Sequence, residues 1–446
     1  MTEDTKETSI NSFRDKLRAK LKLNKDVLRN VGWLFGDHLL TFAGGLLVSV
    51  WLARTLGPAN YGIYTYAIAL FAIASSFAHF GLQGVSIKEL VETEHVEKSI
   101  GTIALLKAFG AILGVLGIHL YLGLTEVDGI KYWLSAIMSL AVLSVPFTTL
   151  DNYFDSVVES KYRIISRKTA FVARSLGIVA YIIIGGPLYV LITIAASEFL
   201  LASILVTYLY WRKGGRIDLG VDWGKVKELL SQSWPLIISS LGAILYLKMD
   251  QVMVVDMIGD KAGGYYGAAV RYTTIFYFLH TIVLTSFFPK LIEAKKNNES
   301  KYLLLTKQLS ALLMYGSLSI VVFTYFFGGG VIYLLFGASY DPAIPIIQYH
   351  IFSLPIVFIG AILSKWLVIE KLTKLSVFRH GIGFVVNLVL NTLLIPIYGG
   401  VGAAIASVIA LLFSSVVILL FTPRLRLLGW TILGSILYPL NLHRNE

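Results

Sequence analysis

Cysteine is absent from the 446 residues. That excludes a disulfide framework, a thiolate nucleophile and cysteine-ligated metals. Charge is also scarce. Asp, Glu, Lys and Arg make up 15% of the chain, against roughly 25% in a soluble protein. No G-x-x-x-x-G-K-[ST] loop is present, and "GVDWGKV" only brushes against it. No HExxH is present either, so direct ATP coupling and zinc-protease chemistry find no motif. No short apolar core with a small-residue cleavage site opens the chain, so the first apolar span is expected to act as an uncleaved anchor. In place of these features stands hydrophobicity: 56% of residues are apolar and mean hydropathy is +0.73. That composition belongs to a polytopic membrane protein.

About 20 apolar residues cross a hydrocarbon core as a helix. On that scale the chain predicts about twelve spans, at 31–53, 64–84, 101–122, 132–153, 169–186, 188–211, 234–257, 265–288, 308–327, 344–369, 380–398 and 402–421. The expected fold is an all-α bundle in two six-helix lobes, 31–211 and 234–421. A basic segment, 1–30, precedes them, a linker, 212–233, joins them, and a tail, 422–446, follows. Residues 10–28 place Ile10, Phe13, Leu17, Leu21 and Leu28 near one face of a basic helix, a pattern suited to an anionic membrane surface; a solvated basic tail is the plainer reading. The tail is also expected to lie in the interface. With the N-terminus taken as cytoplasmic, thirty Lys and Arg fall on that side, among them Lys371, Lys374 and Arg379. Only Arg54, Lys131 and Lys261 fall on the other. The bias predicts a multi-pass inner-membrane protein with both termini cytoplasmic. It also accounts for the net charge of +11 without nucleic acid.

The chain repeats itself. "LGPANYGIYTYA" (56–67) follows span 1, and "IGDKAGGYYGAA" (258–269) follows span 7. At an offset of 202 residues Gly57 matches Gly259, Gly62 matches Gly264, Tyr64 matches Tyr266 and Ala67 matches Ala269. Six spans return the chain to its starting side, so the halves should be parallel repeats about an axis along the membrane normal. Gly62 and Gly264 are expected where helices turn or pack closely.

Five basic residues lie inside predicted spans: Lys107, Arg174, Lys248, Arg271 and Lys365. A Lys or Arg near the bilayer centre costs about 2.5–3.5 kcal/mol on insertion scales. Lys107, Arg174 and Lys365 lie close enough to span ends to snorkel. Lys248 and Arg271 lie deeper, at similar depth on neighbouring helices, and are expected to line a cavity. A structural ion pair with Asp250 or Asp256 is the alternative. Arg54 and Asp256 occupy equivalent places in the two repeats, and either a gate pair or interface anchoring suits them. Asp37 and His38 are candidates for polar lining, a proton site or helix packing. Asn387 and Asn391 share one helix face and read best as interhelical hydrogen-bonding groups. Tyr246, Tyr266, Tyr272 and Tyr277 crowd the same region, as packing or sugar-stacking groups.

With "VLRNVGWLFGDHLLTFAGGLLVSVWLARTLGPANYGIYTYA", "MDQVMV", "GGYYGAAVR" and "NLVLNTLLIPIYGGVGAAIAS", the chain resembles the polysaccharide repeat-unit flippases (Wzx type) of the multidrug/oligosaccharidyl-lipid/polysaccharide exporter superfamily. The resemblance covers residues 28–421. It implies a V-shaped, twelve-helix transporter without a cofactor. The implied activity is flipping an oligosaccharide on polyprenyl diphosphate to the outer leaflet by alternating access. Implied partners are that lipid-linked substrate, membrane lipids and polysaccharide polymerase machinery. The substrate-binding set is then Lys248, Arg271, Asp250, Arg174, Lys107 and Lys365, with Arg54, Asp256 and Asp37 as gate or coupling groups. Proton or sodium exchange at Asp37 or Asp250 stays open beside a potential-driven step. Rival readings are a lipid II flippase and a multidrug antiporter of the same superfamily. From another class come a membrane enzyme or scaffold of polysaccharide assembly, against which the short outer loop "GGGVIYLLFGASYDPA" speaks.

Overall fold

The computed structural model describes residues 44–127 and 129–436. The basic segment, Asp37 and His38 lie outside the described residues. All regular structure among the described residues is helical. Helix α1 covers 44–78 but reverses at Gly57, whose φ is +68°. The Ser49 and Tyr61 hydroxyls lie 3.0 Å apart, whereas twelve residues of straight helix would separate them by about 18 Å. The remaining helices of the first half are α2 (Leu82–Glu92), α3 (Val96–Leu124), α4 (Gly129–Ser139), α5 (Thr148–Ser156), α6 (Lys161–Ile184) and α7 (Leu188–Arg212). A 3₁₀ stretch, Leu140–Phe147, carries Pro146 between α4 and α5. The second half holds α8 (Trp223–Ile258), α9 (Asp260–Ile275), α10 (Phe278–Asn297), α11 (Glu299–Phe336), α12 (Ala343–His350), α13 (Ser353–Ile369), α14 (Leu375–Tyr398) and α15 (Gly400–Ser415). Helix α16 (Pro423–Ile436) ends the described chain.

Ten segments among the described residues are long and apolar enough to cross a membrane. The first, Gly44–Glu92, is two crossings, because it reverses at Gly57. Helix α6 is not among the ten; it carries Lys161, Arg163, Arg167, Lys168 and Arg174, of which Arg163, Arg167 and Arg174 pair with carboxylates of neighbouring helices. Together these are the twelve expected spans, in an all-α polytopic fold. Three span readings change in detail. Helix α8 begins at Trp223, about three turns before the expected 234, where Asp222 caps it by accepting the Lys225 N–H at 3.0 Å. The eighth and tenth spans are each broken, at 276–277 and 351–352. The outer loop shrinks too, since 328–336 belong to α11.

Packing distributes into three main cores. The largest joins both halves at the end carrying Gly57 and Gly259, the turn end, uniting Tyr61, Tyr66 and Ile192 with Val254, Tyr266 and Ile332. At the opposite, basic end there are two further cores. One is built from Leu82, Ile103, Phe154 and Tyr210 with Leu229 of α8, the other from Leu309, Phe358, Trp366 and Leu428. The halves therefore share one core at the turn end, and at the basic end the start of α8 packs on the first half, where Lys225 pairs with Glu89 at 3.0 Å. In α16, Leu425, Leu428 and Ile432 are buried against the second half's core, and Arg424 donates to the buried Glu370 at 2.7 Å. These contacts dock the described part of the tail on the bundle.

Candidate functional site

The turn end is closed by the repeat. A Cβ on Gly62 would lie 1.8 Å from the Asp260 carbonyl oxygen, and one on Gly264 would lie 1.9 Å from the Pro58 carbonyl oxygen. Asp260 is the repeat equivalent of Pro58, so the two contacts are one contact made twice about a pseudo-twofold axis. Only glycine lets the backbones touch there. Around this crossing the halves exchange polar contacts. Arg54 donates to the Leu334 carbonyl, Tyr340 donates to the Ala53 carbonyl at 2.8 Å, Tyr121 donates to Asp256, and Lys131 pairs with Asp260 at 3.1 Å. Arg54 and Asp256 thus both bridge the halves, but not to one another. The expected pair is replaced because each finds a nearer partner on the opposite half.

Below the crossing lies a cavity of about 240 Å³. It is lined by Lys248 from α8, Arg271 from α9, Arg174 from α6, and Ser49, Tyr64 and Thr65 from α1. Three of the cations expected in the site are therefore brought together. They differ in pairing. Arg174 binds Glu198 at 3.1 Å and lies over the Phe171 ring at 5.1 Å, so it is held within the bundle and does not snorkel. Among the described residues neither Lys248 nor Arg271 forms an ion pair with a carboxylate. The Arg271 guanidinium reaches across to α1, where a Cβ on Gly45 would lie 3.1 Å from its Nη2.

Asp250 turns away from this cavity. Its carboxylate is 3% exposed and accepts four hydrogen bonds: from Asn387 at 2.8 Å, Asn391 at 2.6 Å, Tyr266 at 2.9 Å and Ser407. The side chain two residues after Lys248 points to a different helix face, so Asp250 ties α8 to α14, α15 and α9 and does not line the cation cavity. The alternative reading, an ion pair between Lys248 and Asp250, is not formed. Asn387 and Asn391 do join helices, through this shared acceptor. The other tyrosines are also engaged: Tyr246 stacks on His380, Tyr272 meets Thr324 at 3.2 Å, and Tyr277 meets Ser353 at 2.9 Å.

A larger cavity, about 810 Å³, lies between the first half and the α8–α14 wall. Lys107 sits in it at 1% exposure and donates to the Thr148 hydroxyl at 3.0 Å; it is buried and does not snorkel. Arg167 pairs with Asp151, and Arg163 pairs with Asp155 at 2.9 Å. This cavity was not legible in the sequence, where no motif singles out Asp151 or Asp155.

Residues 27–295 match the family described as polysaccharide biosynthesis protein. The chain belongs to that family. It is 24% identical over 407 residues to a Shigella flexneri protein named as an O-antigen transporter, covering 85% of this chain and 94% of that one. It is 22% identical over 390 residues to the Haloferax volcanii protein named "Probable low-salt glycan biosynthesis flippase Agl15", covering 84% and 79%. Its fold is that of the lipid II flippase MurJ in an inward closed conformation, with a TM-score of 0.69 at 15% identity over 93% of both chains. An inward-facing multidrug transporter of the same superfamily follows, with a TM-score of 0.63 at 13% identity over 92% and 96%. This polysaccharide biosynthesis family member is an all-α multi-pass membrane protein with the fold of those transporters. A transporter with a shut turn end and separate cores at the basic end needs polar groups along the seam between the halves. The apex cations and the paired charges of the larger cavity supply them.

Proposed function

We propose that the protein flips an oligosaccharide linked to polyprenyl diphosphate, with its basic end in the cytoplasm and its turn end at the outer face of the cytoplasmic membrane. The observation that carries this reading is the apex cavity, where Lys248 and Arg271 face one space with no carboxylate among its described lining residues. A diphosphate head and its sugars cannot enter hydrocarbon, while the polyprenyl tail can stay in it. The protein needs only a wet seam for the head, and unpaired cations at its apex suit an anion. At 4 Å and an effective dielectric of about 20, each such contact is worth up to roughly 4 kcal/mol before desolvation. With the inside negative, moving two negative charges outward gains about 4.6 kcal/mol per 100 mV. The thirty-to-three distribution of basic residues supports the orientation, and the named glycan flippase and O-antigen transporter among its relatives support the substrate class. The first half, the linker and the second half act in this reading as two lobes closing alternately on the seam, with Asp250 as a candidate coupling group.

A second reading, lipid II as substrate, is favoured by the fold shared with the lipid II flippase. It uses the same diphosphate contact. Proteoliposomes carrying a fluorescent polyprenyl-diphosphate oligosaccharide test the proposal. The wild type should move the lipid between leaflets, and Lys248→Glu should not. Movement of lipid II alone would favour the second reading, and movement of cationic dyes alone would remove both.

A further inference from the structure

The second half contains a cavity of about 430 Å³ between α8, α10, α13, α14 and α15. Its size falls within the usual range for small-ligand sites. The titratable side chains lining it are Tyr246, Tyr277, His280, Lys365 and Arg379, with no carboxylate among the lining residues. Arg379 was counted from sequence as a loop residue. It lies instead in the second turn of α14, at 5% exposure. Its Nη1 donates to the Gly360 carbonyl at 3.1 Å, an oxygen that also accepts from Ser364 at 2.8 Å. Its Nε is buried with no partner, as is Nδ1 of His280. Among the described residues Arg379 makes no ion pair. Lys365 holds its ammonium 4.6 Å from the centre of the Phe288 ring and likewise has no acidic partner among the described residues.

A guanidinium taken out of water is retained when an opposite charge compensates it. Among the described residues the surroundings of Arg379 offer one neutral carbonyl and no carboxylate. The protein satisfies this rule at Arg174, 20% exposed, which has Glu198. Gly360 also keeps space open beside the arginine, since a Cβ there would lie 2.5 Å from Ser415 Oγ and 3.8 Å from Arg379 Nη2. The unpaired Nε–H, the lysine lining the same cavity and the hydroxyl of Thr281 form a donor set for an oxyanion. Arginine's planar fork suits phosphate in particular.

We infer that this cavity is a phosphate site, with Arg379 as its principal ligand and Lys365 and His280 beside it. It is separate from the apex cations and stands whether or not those carry the transported head group. The phosphate comes from the headgroup of an anionic membrane lipid or from a water-borne phosphate, and the two sources are separable. The full-length protein is purified in a nonionic detergent in chloride buffer. Its melting is followed against sodium pyrophosphate, with sodium chloride matching ionic strength. The background carries Lys248→Met and Arg271→Gln, so that the apex does not contribute. A second arm compares phosphatidylcholine nanodiscs with and without phosphatidylglycerol.

The expected result is a saturable rise in melting temperature in at least one arm. Adding Arg379→Gln should raise the half-saturating concentration at least tenfold, and adding Arg379→Lys or Lys365→Gln about threefold. A response to pyrophosphate assigns the site to a water-borne phosphate, and a response only to phosphatidylglycerol assigns it to the lipid. Either supports the site. No response in both arms, or a response that Arg379→Gln or Lys365→Gln leaves unchanged, overturns it. Should Arg379→Gln fail to accumulate, Arg379→Lys and Lys365→Gln carry the same test.

Discussion

The two halves of this protein pair the cations around their cavities differently. In the first half's cavity Arg163 and Arg167 pair with Asp155 and Asp151 on the neighbouring helix α5, and the buried Lys107 shares that space, donating to the Thr148 hydroxyl. On the second half's side, Lys248, Arg271, Lys365 and Arg379 face cavities with no carboxylate contact among the described residues. Of the second half's buried carboxylates, Glu370 pairs with Lys295 and Arg424, while Asp250 is consumed by four neutral donors. In the proposed reading the cations left without a carboxylate are those that meet a ligand. The repeat sharpens the contrast, because at the 202-residue offset Lys248 maps to Leu46 and Arg271 to Ala69. The shared fold does not require those charges.

The largest expected effect comes from reversing charge on each side. Lys248→Glu or Arg271→Glu should lower transport by about a hundredfold or more, on the scale of one lost charge contact, with abundance in the membrane little changed. Arg271→Lys should retain part of the activity, having the charge without the fork. Arg167→Glu should instead lower abundance, because it leaves Asp151 facing a second carboxylate, and adding Asp151→Arg should restore it. Immunoblots beside a leaflet-exchange assay separate the two behaviours. Rescue of Lys248→Glu by Asp250→Lys would break the comparison, since it would mean that the apex is paired after all.

Asp250→Ala comes next. It leaves two amides and two hydroxyls without an acceptor at the junction of four helices, a loss of about 3 kcal/mol. Melting of the purified protein should fall several degrees, and Asp250→Asn should fall less. An unchanged melting temperature for the alanine variant would show that those donors find water.

Smaller again is the crossing of the repeats. Gly264→Ala and Gly62→Ala each push a methyl group into a carbonyl oxygen and should cost about 1–3 kcal/mol as overpacking. Gly316→Ala, where nothing lies within 4 Å, is the control and should cost nothing. Equal behaviour of all three would remove the glycine crossing as a constraint.

The smallest effect is expected at the start of α8, outside the membrane. The Lys225 N–H, then Lys98, holds the Asp222 carboxyl below its ordinary range. A carboxyl depressed on folding stabilises the fold above its unfolded value, and that contribution is lost as pH falls through its folded value. Asp222→Ala should therefore melt slightly below the wild type at neutral pH, with the gap narrowing in acid. A gap that widens in acid would show another group in control.

Much of the architecture was legible because a membrane imposes it. Helices must satisfy their own backbone in hydrocarbon, so length and hydropathy predict the spans, and "LGPANYGIYTYA" with its copy predicts the paired turns. The site was legible only in part. Lys248, Arg271 and Arg174 stood out because a charge in an apolar run has few explanations. Arg379 did not, because it lies close to Lys371 and Lys374 in sequence and only helix α14 carries it inward. Asp250 was misread for a related reason: two residues along a helix turn a side chain to another face, and one-dimensional proximity to Lys248 suggested a pairing that geometry refuses.

Hydropathy, the basic-residue bias and the 202-residue repeat are properties of the chain, and by themselves they determined a twelve-span, two-half membrane protein. They are additive over local sequence, each residue contributing its own transfer energy. Which charges meet depends on contacts between residues far apart in the chain, such as Asp250 with Asn391 or Gly62 with Asp260. No local sum encodes those distances. Tertiary structure alone decided that Arg163 and Arg167 meet carboxylates in one cavity while Lys248, Arg271, Lys365 and Arg379 meet none among the described residues, because a few ångströms separate a partnered charge from an unpartnered one.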